Sequence, residues 1–83
     1  MPRFYFNSTV NGAKSGDDEG IALESLELTR HEALCSATDM ARDLAYRGQL
    51  ADIVVTVRVG SAEPLATVRL SLRIEPERKL RLV

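Results

Sequence analysis

The sequence predicts an α+β fold, in the order β-β-α-β-β, with one amphipathic helix packed on one face of a small antiparallel sheet. Three observations carry this reading. Near the C-terminal end, Ala66, Val68, Leu70, Leu72 and Ile74 alternate with Leu65, Thr67, Arg69, Ser71 and Arg73, the period-two signature of a half-buried strand. Near the other end, Asn11-Gly12 follows an aromatic-rich segment and supplies two residues that accept positive φ, as a tight hairpin requires. Between them, apolar residues recur at helical spacing from Leu26 to Leu44.

Taken in chain order, Arg3 to Thr9 form the first strand, with Phe4 and Phe6 on one face and Tyr5 and Asn7 on the other. The hairpin at Asn11-Gly12 leads to a short second strand near Ala13 to Ser15. Gly16-Asp17-Asp18-Glu19-Gly20 then breaks regular structure with two glycines and three like charges. Ile21 and Leu23 alternate with Ala22 and Glu24, a brief extended stretch that leads into the helix.

Ser25 has the chemistry of an N-cap, Glu27 sits where the helix dipole favours negative charge, and Arg47-Gly48 provide a basic end and a stop. Thr29-Arg30-His31-Glu32 also reads as a capping box, which would start the helix one turn later. Leu26, Ala33, Ala37, Met40, Ala41 and Leu44 share the face turned to the sheet, with Leu34 and Ala45 on its flank. The small residues in the middle of that face allow close approach to the sheet.

Residues 52 to 59 make the next strand, with Ile53, Val55, Val57 and Val59 facing one way and Val54, Thr56 and Arg58 the other. Gly60 to Pro64 links it to the last strand in a way that suits an antiparallel hairpin, and Pro76 ends the regular structure. Residues 1–75 are expected to form a single domain, followed by a basic tail over 76–83 that holds Arg78, Lys79 and Arg81. The expected core unites Phe4, Phe6, the inward valines and the even-numbered apolar residues up to Ile74. Leu70→Ala is then expected to cost about 2–5 kcal/mol.

Composition narrows the class. With 83 residues there is room for one small core and no second domain. No apolar run approaches the roughly 20 residues of a membrane span, and Met1 to Phe6 lacks the apolar stretch of a secretory signal, so a cytoplasmic, non-membrane protein is expected. The single Cys35 closes no internal disulfide, which agrees with a reducing compartment. Charge is unevenly laid out: residues 1–55 hold five basic and nine acidic side chains, residues 56–83 six basic and three acidic. That asymmetry is able to steer a charged partner.

The chemistry-bearing residues are few. His31, Cys35 and Asp39 follow at four-residue intervals on the outer helix face, a spacing that brings a thiol and an imidazole together, yet no other His or Cys exists to complete a zinc site. Asp17, Asp18 and Glu19 lack the ligand spacing of a calcium loop, so a solvated loop is the simpler reading. One His on a helix surface supports no nucleophilic triad, and no glycine-rich phosphate loop is present. The sequence therefore predicts no enzyme, no metal and no cofactor. Leu28, Cys35 and Tyr46 make a thin apolar line on the outer helix face.

What remains is the sheet face that the helix does not cover. It is expected to carry Tyr5, Asn7, Thr56, Arg58, Thr67, Arg69, Ser71 and Arg73, with Val54 and Leu65 adding apolar area. Arginine is enriched at protein interfaces, and this face suits a protein partner or a homodimer. The alternative is nucleic acid, since aromatic and arginine side chains on a bare sheet stack on bases and contact phosphates.

Met1-Pro2-Arg3-Phe4-Tyr5-Phe6, Asp18-Glu19-Gly20 with Leu23 after it, and Leu26 through Arg30-His31-Glu32-Ala33-Leu34 resemble a family of small uncharacterised bacterial proteins classed as a domain of unknown function. The resemblance spans nearly the whole chain and brings no activity with it. Family members often carry His after the Tyr-Phe pair, where this chain has Asn7. Glu32-Ala33-Leu34, in a helix that follows strands and an acidic-glycine loop, is also similar to HicB-type antitoxin domains. That likeness implies a small toxin as partner, although the C-terminal DNA-binding segment of such antitoxins is missing.

Overall fold

The computed structural model describes residues 1–60 and 63–75. Its elements are β1 (Arg3–Val10), β2 (Ala13–Ser15), β3 (Ile21–Ala22), α1 (Leu26–Tyr46), β4 (Ala51–Val59) and β5 (Ala66–Leu72). The strands form one antiparallel sheet in the order β2-β1-β4-β5, and β3 pairs with the start of β1 on the same side as β2. The α+β arrangement is the expected one, with the extended stretch at Ile21 raised to a two-residue strand. The basic tail over 76–83 lies outside the described residues.

Asn11 (φ 50) and Gly12 (φ 87) both take left-handed backbone, the requirement of the tight turn that joins β1 to β2. Asn11 does more than turn the chain. Its Nδ2 donates to the Leu50 carbonyl at 3.1 Å and its Oδ1 accepts from the Asp52 N–H at 2.8 Å, which pins the start of β4 against the hairpin. β1 and β4 then run in register from Phe4 opposite Val59 to Val10 opposite Ile53.

The helix begins at Ser25, whose Oγ accepts from the Leu28 N–H at 3.1 Å. The later start at Thr29 is not used. Thr29 is fully buried, and its hydroxyl donates to the Ser25 carbonyl at 2.7 Å, so a polar residue sits on the core face with its hydrogen bond satisfied inside the helix. At the other end Gly48 adopts φ 75, its N–H donates to the Ala45 carbonyl and the Gln49 N–H donates to Leu44, a Schellman closure.

α1 lies over β4 and β5. Ala33, Ala37, Ala41 and Leu44 pack on Ile53, Val55 and Val57, with Phe4 and Ala51 completing the buried core. Fully burying each of these β-branched side chains contributes about 1.5–3 kcal/mol. β4 is buried because it is central, with β1 on one side, β5 on the other and the helix above.

β5 has the predicted parity but not the predicted depth. Its register sets Ala66, Val68 and Leu70 beside Val57, Val55 and Ile53, and these three are only half-buried. Regular pairing ends at Leu72, which is 41% exposed, and Ile74 beyond it is 82% exposed. The strand is at the edge of the sheet, so one side of each residue has no neighbouring strand among the described residues. Val59 is exposed for a similar reason, at the outer end of β4. Leu34 and Ala45, expected on the flank of the buried helix face, are both exposed.

Candidate interaction face

The face of the sheet away from α1 is built by the residues that alternate with the core. The register sets Tyr5 opposite Arg58, Asn7 opposite Thr56 with Thr67 beyond it, and Thr9 opposite Val54 with Arg69 beyond it. Ser71 stands across from Asp52 and donates to its Oδ1 at 3.3 Å. Seven of the eight expected residues therefore share one surface. Arg73 lies past the end of β5, where it borders an apolar groove of about 270 Å³ with Leu50, Leu72, Ile74 and Ala45. Leu65 precedes the strand instead of opening it, and its N–H donates to the Val57 carbonyl at 2.7 Å.

The side chains on this face are unequally free. The Arg58 guanidinium lies 5.2 Å from the centre of the Tyr5 ring, a cation–π contact, and also donates to the Gly60 carbonyl. Asn7 accepts from the Asp17 N–H at 3.1 Å. Arg69 and Arg73 are exposed and make no hydrogen bond or ion pair among the described residues. The centre of the face is thus a fixed platform of half-buried Thr9, Thr56 and Val54 with the Tyr5–Arg58 stack, and its exposed arginines stand at the β5 side.

The acidic loop proves to be part of the sheet. Asp17 is half-buried at the β1 edge in the gap between β2 and β3, where its Oδ2 accepts from the Phe6 N–H at 3.0 Å. Its Oδ1 accepts from the N–H groups of Gly20 at 3.0 Å and Glu19 at 3.1 Å. These donors hold the carboxyl below its ordinary pKa, Gly20 most, then Phe6, with burial opposing them, and Glu19 and the Arg58 charge adding to the lowering. The expectation of a merely solvated loop holds for Asp18 and Glu19, which are exposed, and fails for Asp17. An Asp beside glycines, followed within three residues by backbone that has to turn, was the available signal.

Gly20 completes the closure with φ 70. A Cβ there would stand 2.8 Å from the Phe4 carbonyl oxygen and 2.9 Å from Arg3 Cγ, so only glycine fits. Arg3 reaches over this loop and donates to the Glu19 carbonyl at 2.8 Å. A cleft of about 280 Å³ opens between the loop and the helix, with Asp17, Glu19, Glu32 and Ser36 on its walls.

On the outer helix face, His31 Nε2 and Cys35 Sγ lie 3.5 Å apart, while Asp39 turns away to Arg42 at 3.3 Å. The trio does not converge, and no group of three or more metal-ligating side chains occurs among the described residues. Leu28 and Tyr46 are exposed. No helix among the described residues is long and apolar enough to cross a membrane.

This geometry defines a small α+β domain in which, among the described residues, one helix covers one face of an antiparallel sheet and nothing covers the other. The chain belongs to the family described as Domain of unknown function (DUF6894), whose model matches residues 3–71, a span from the first strand to the penultimate residue of β5. No curated protein and no solved structure matches the chain.

Proposed function

We propose that the domain is a non-catalytic protein-interaction module and that the uncovered sheet face is its docking surface. The observation that carries this reading is the combination, on one face, of a rigid half-buried centre with exposed arginines beside it that have no ion pair among the described residues. Val54 and the threonines offer a surface whose shape is already fixed by the ladder, so little side-chain entropy is lost on binding. Arg69 and Arg73 favour an acidic partner.

Nucleic acid draws less support. The aromatic ring on this face lies under Arg58, so a base that stacked on Tyr5 would first have to displace the guanidinium. The test is capture of partners from native lysate by tagged wild type and by the Arg69→Glu/Arg73→Glu double variant, each with and without nuclease. A stoichiometric, nuclease-resistant protein lost only in the double variant is expected. Its retention by the double variant would remove this face from consideration. Loss of all captured material on nuclease treatment would transfer the face to nucleic acid, with affinity falling steeply as salt rises.

A further inference from the structure

The two edges of the sheet are treated differently by the chain. The β1 side is closed by short strands of three and two residues, by the Asp17 carboxylate on the Phe6 N–H and by Arg3 over the loop carbonyls. At the other edge, β5 is seven residues long, and no described element lies beyond it. Long bare edges are templates for pairing, and proteins that stay apart blunt them.

The ladder tells which groups of β5 point outward. Asn11 N–H donates to the Asp52 carbonyl, so even-numbered residues of β4 turn their backbone polar groups to β1 and odd-numbered ones to β5. The Phe6 N–H, free of β4 and taken by Asp17, fits the same phase. The odd residues of β4 face Ala66, Val68, Leu70 and Leu72, which leaves Thr67, Arg69 and Ser71 with N–H and C=O directed away from β4 and with no backbone partner among the described residues.

We propose that β5 pairs antiparallel with β5 of a second copy, across a two-fold axis at Leu70, to join two sheets into one. An axis at Arg69 would set that arginine against itself, which like charge disfavours. An axis at Val68 would leave Ile74 without a described partner. With the axis at Leu70, Arg69 faces Ser71 of the second copy and Thr67 faces Arg73, so each positive charge meets a hydroxyl. On the helix side Val68 then faces Leu72 and Ala66 faces Ile74, which covers the two most exposed apolar side chains at this end of the strand.

The second copy also accounts for Leu34. It lies 11 residues before Ala45, about three turns, on the flank of α1 that borders β5, and is 54% exposed. Because α1 lies over β4 and β5, edge pairing at a strand spacing of about 4.8 Å brings the two helices side by side at a separation on the order of 10 Å, the distance of packed helices. Leu34 then meets the opposing helix. A second copy supplies this apolar flank together with the matching edge, and the pairing stands whether or not the open face binds a partner.

Sedimentation velocity on the full chain over a micromolar to millimolar series tests it. Wild type is expected to dimerise. Arg69→Pro removes an outward N–H but no bond of the internal ladder, and is expected to be monomeric with wild-type far-UV circular dichroism. Should that variant unfold, Leu34→Glu and Ile74→Asp, at exposed positions, are each expected to weaken the dimer at least tenfold. In a Cys35→Ser background, Leu70→Cys is expected to form the intermolecular disulfide faster than Val68→Cys or Arg69→Cys. A monomer throughout, a dimer indifferent to these variants, or faster cross-linking at position 68 or 69 would overturn the proposal.

Discussion

Asp17 spends its carboxylate on the backbone, accepting from Phe6, Glu19 and Gly20. Removing it leaves the Phe6 N–H without its strand-like partner, so Asp17→Ala is expected to lower stability by about 1–2 kcal/mol in urea unfolding. The folded pKa lies below the ordinary value of 3.8, so ionisation favours the folded state. That contribution is whole above the unfolded value and is lost as pH falls through the lowered folded one. The stability gap between wild type and Asp17→Asn is therefore expected to stay constant from neutrality to about pH 5 and to shrink in stronger acid. Urea midpoints across that range measure it, and a gap that widened in acid would contradict the assignment. Gly20 belongs to the same closure. Gly20→Ala combines left-handed backbone with a Cβ 2.8 Å from the Phe4 carbonyl, and an expected loss of roughly 1–3 kcal/mol is measurable in the same assay.

Among the elements, local chemistry was more legible than depth. The Asn11-Gly12 turn, the Ser25 cap, the Gly48 stop and the parity of every long strand were readable because each depends on residues adjacent in sequence. Burial depends on which strand is central. Leu70 and Ile53 look alike in an alternating run, yet Ile53 is fully buried in β4 and Leu70 half-buried in the edge strand. Ile53→Ala is therefore expected to cost about 2–5 kcal/mol and Leu70→Ala distinctly less, reversing the emphasis that the periodicity of the last strand invites. Thr29 escaped a hydrophobicity-based reading because its hydroxyl is satisfied within its own helix, leaving its methyl for the core. The alanine stripe was legible, and its reason is spatial: Ala37 is 1% exposed against the sheet, so Ala37→Leu is expected to overpack and cost about 1–3 kcal/mol, read from thermal or urea unfolding. Of the candidate face, the members of β1 and β4 followed from parity. The Asp17 contact to Asn7 joins residues ten apart through a loop whose path no periodicity describes.

Charge leans by layer: at the helix Glu24, Glu27, Glu32, Asp39 and Asp43 outnumber Arg30, Arg42 and Arg47, while on or beside the opposite side of the sheet Arg58, Arg69 and Arg73 outnumber Asp52. An anionic partner approaching at physiological salt senses this arrangement only within about 8 Å, so the layer it meets first decides the outcome. Among the described residues the buried core draws on Phe4 to Val57, and the partly buried residues packed on it extend to Leu70. A chain that ends at Glu75 keeps all of these and is expected to keep the wild-type urea midpoint and far-UV spectrum. It also loses Arg78, Lys79 and Arg81 while retaining Arg69 and Arg73, which separates two sources of positive charge that the intact chain presents together. If the sheet face is the docking surface, partner capture survives this truncation and fails in Arg69→Glu/Arg73→Glu. The opposite pattern, with capture lost on truncation and kept in the double variant at unchanged stability, would assign recognition to the segment after residue 75 and leave the sheet face as a solvated surface.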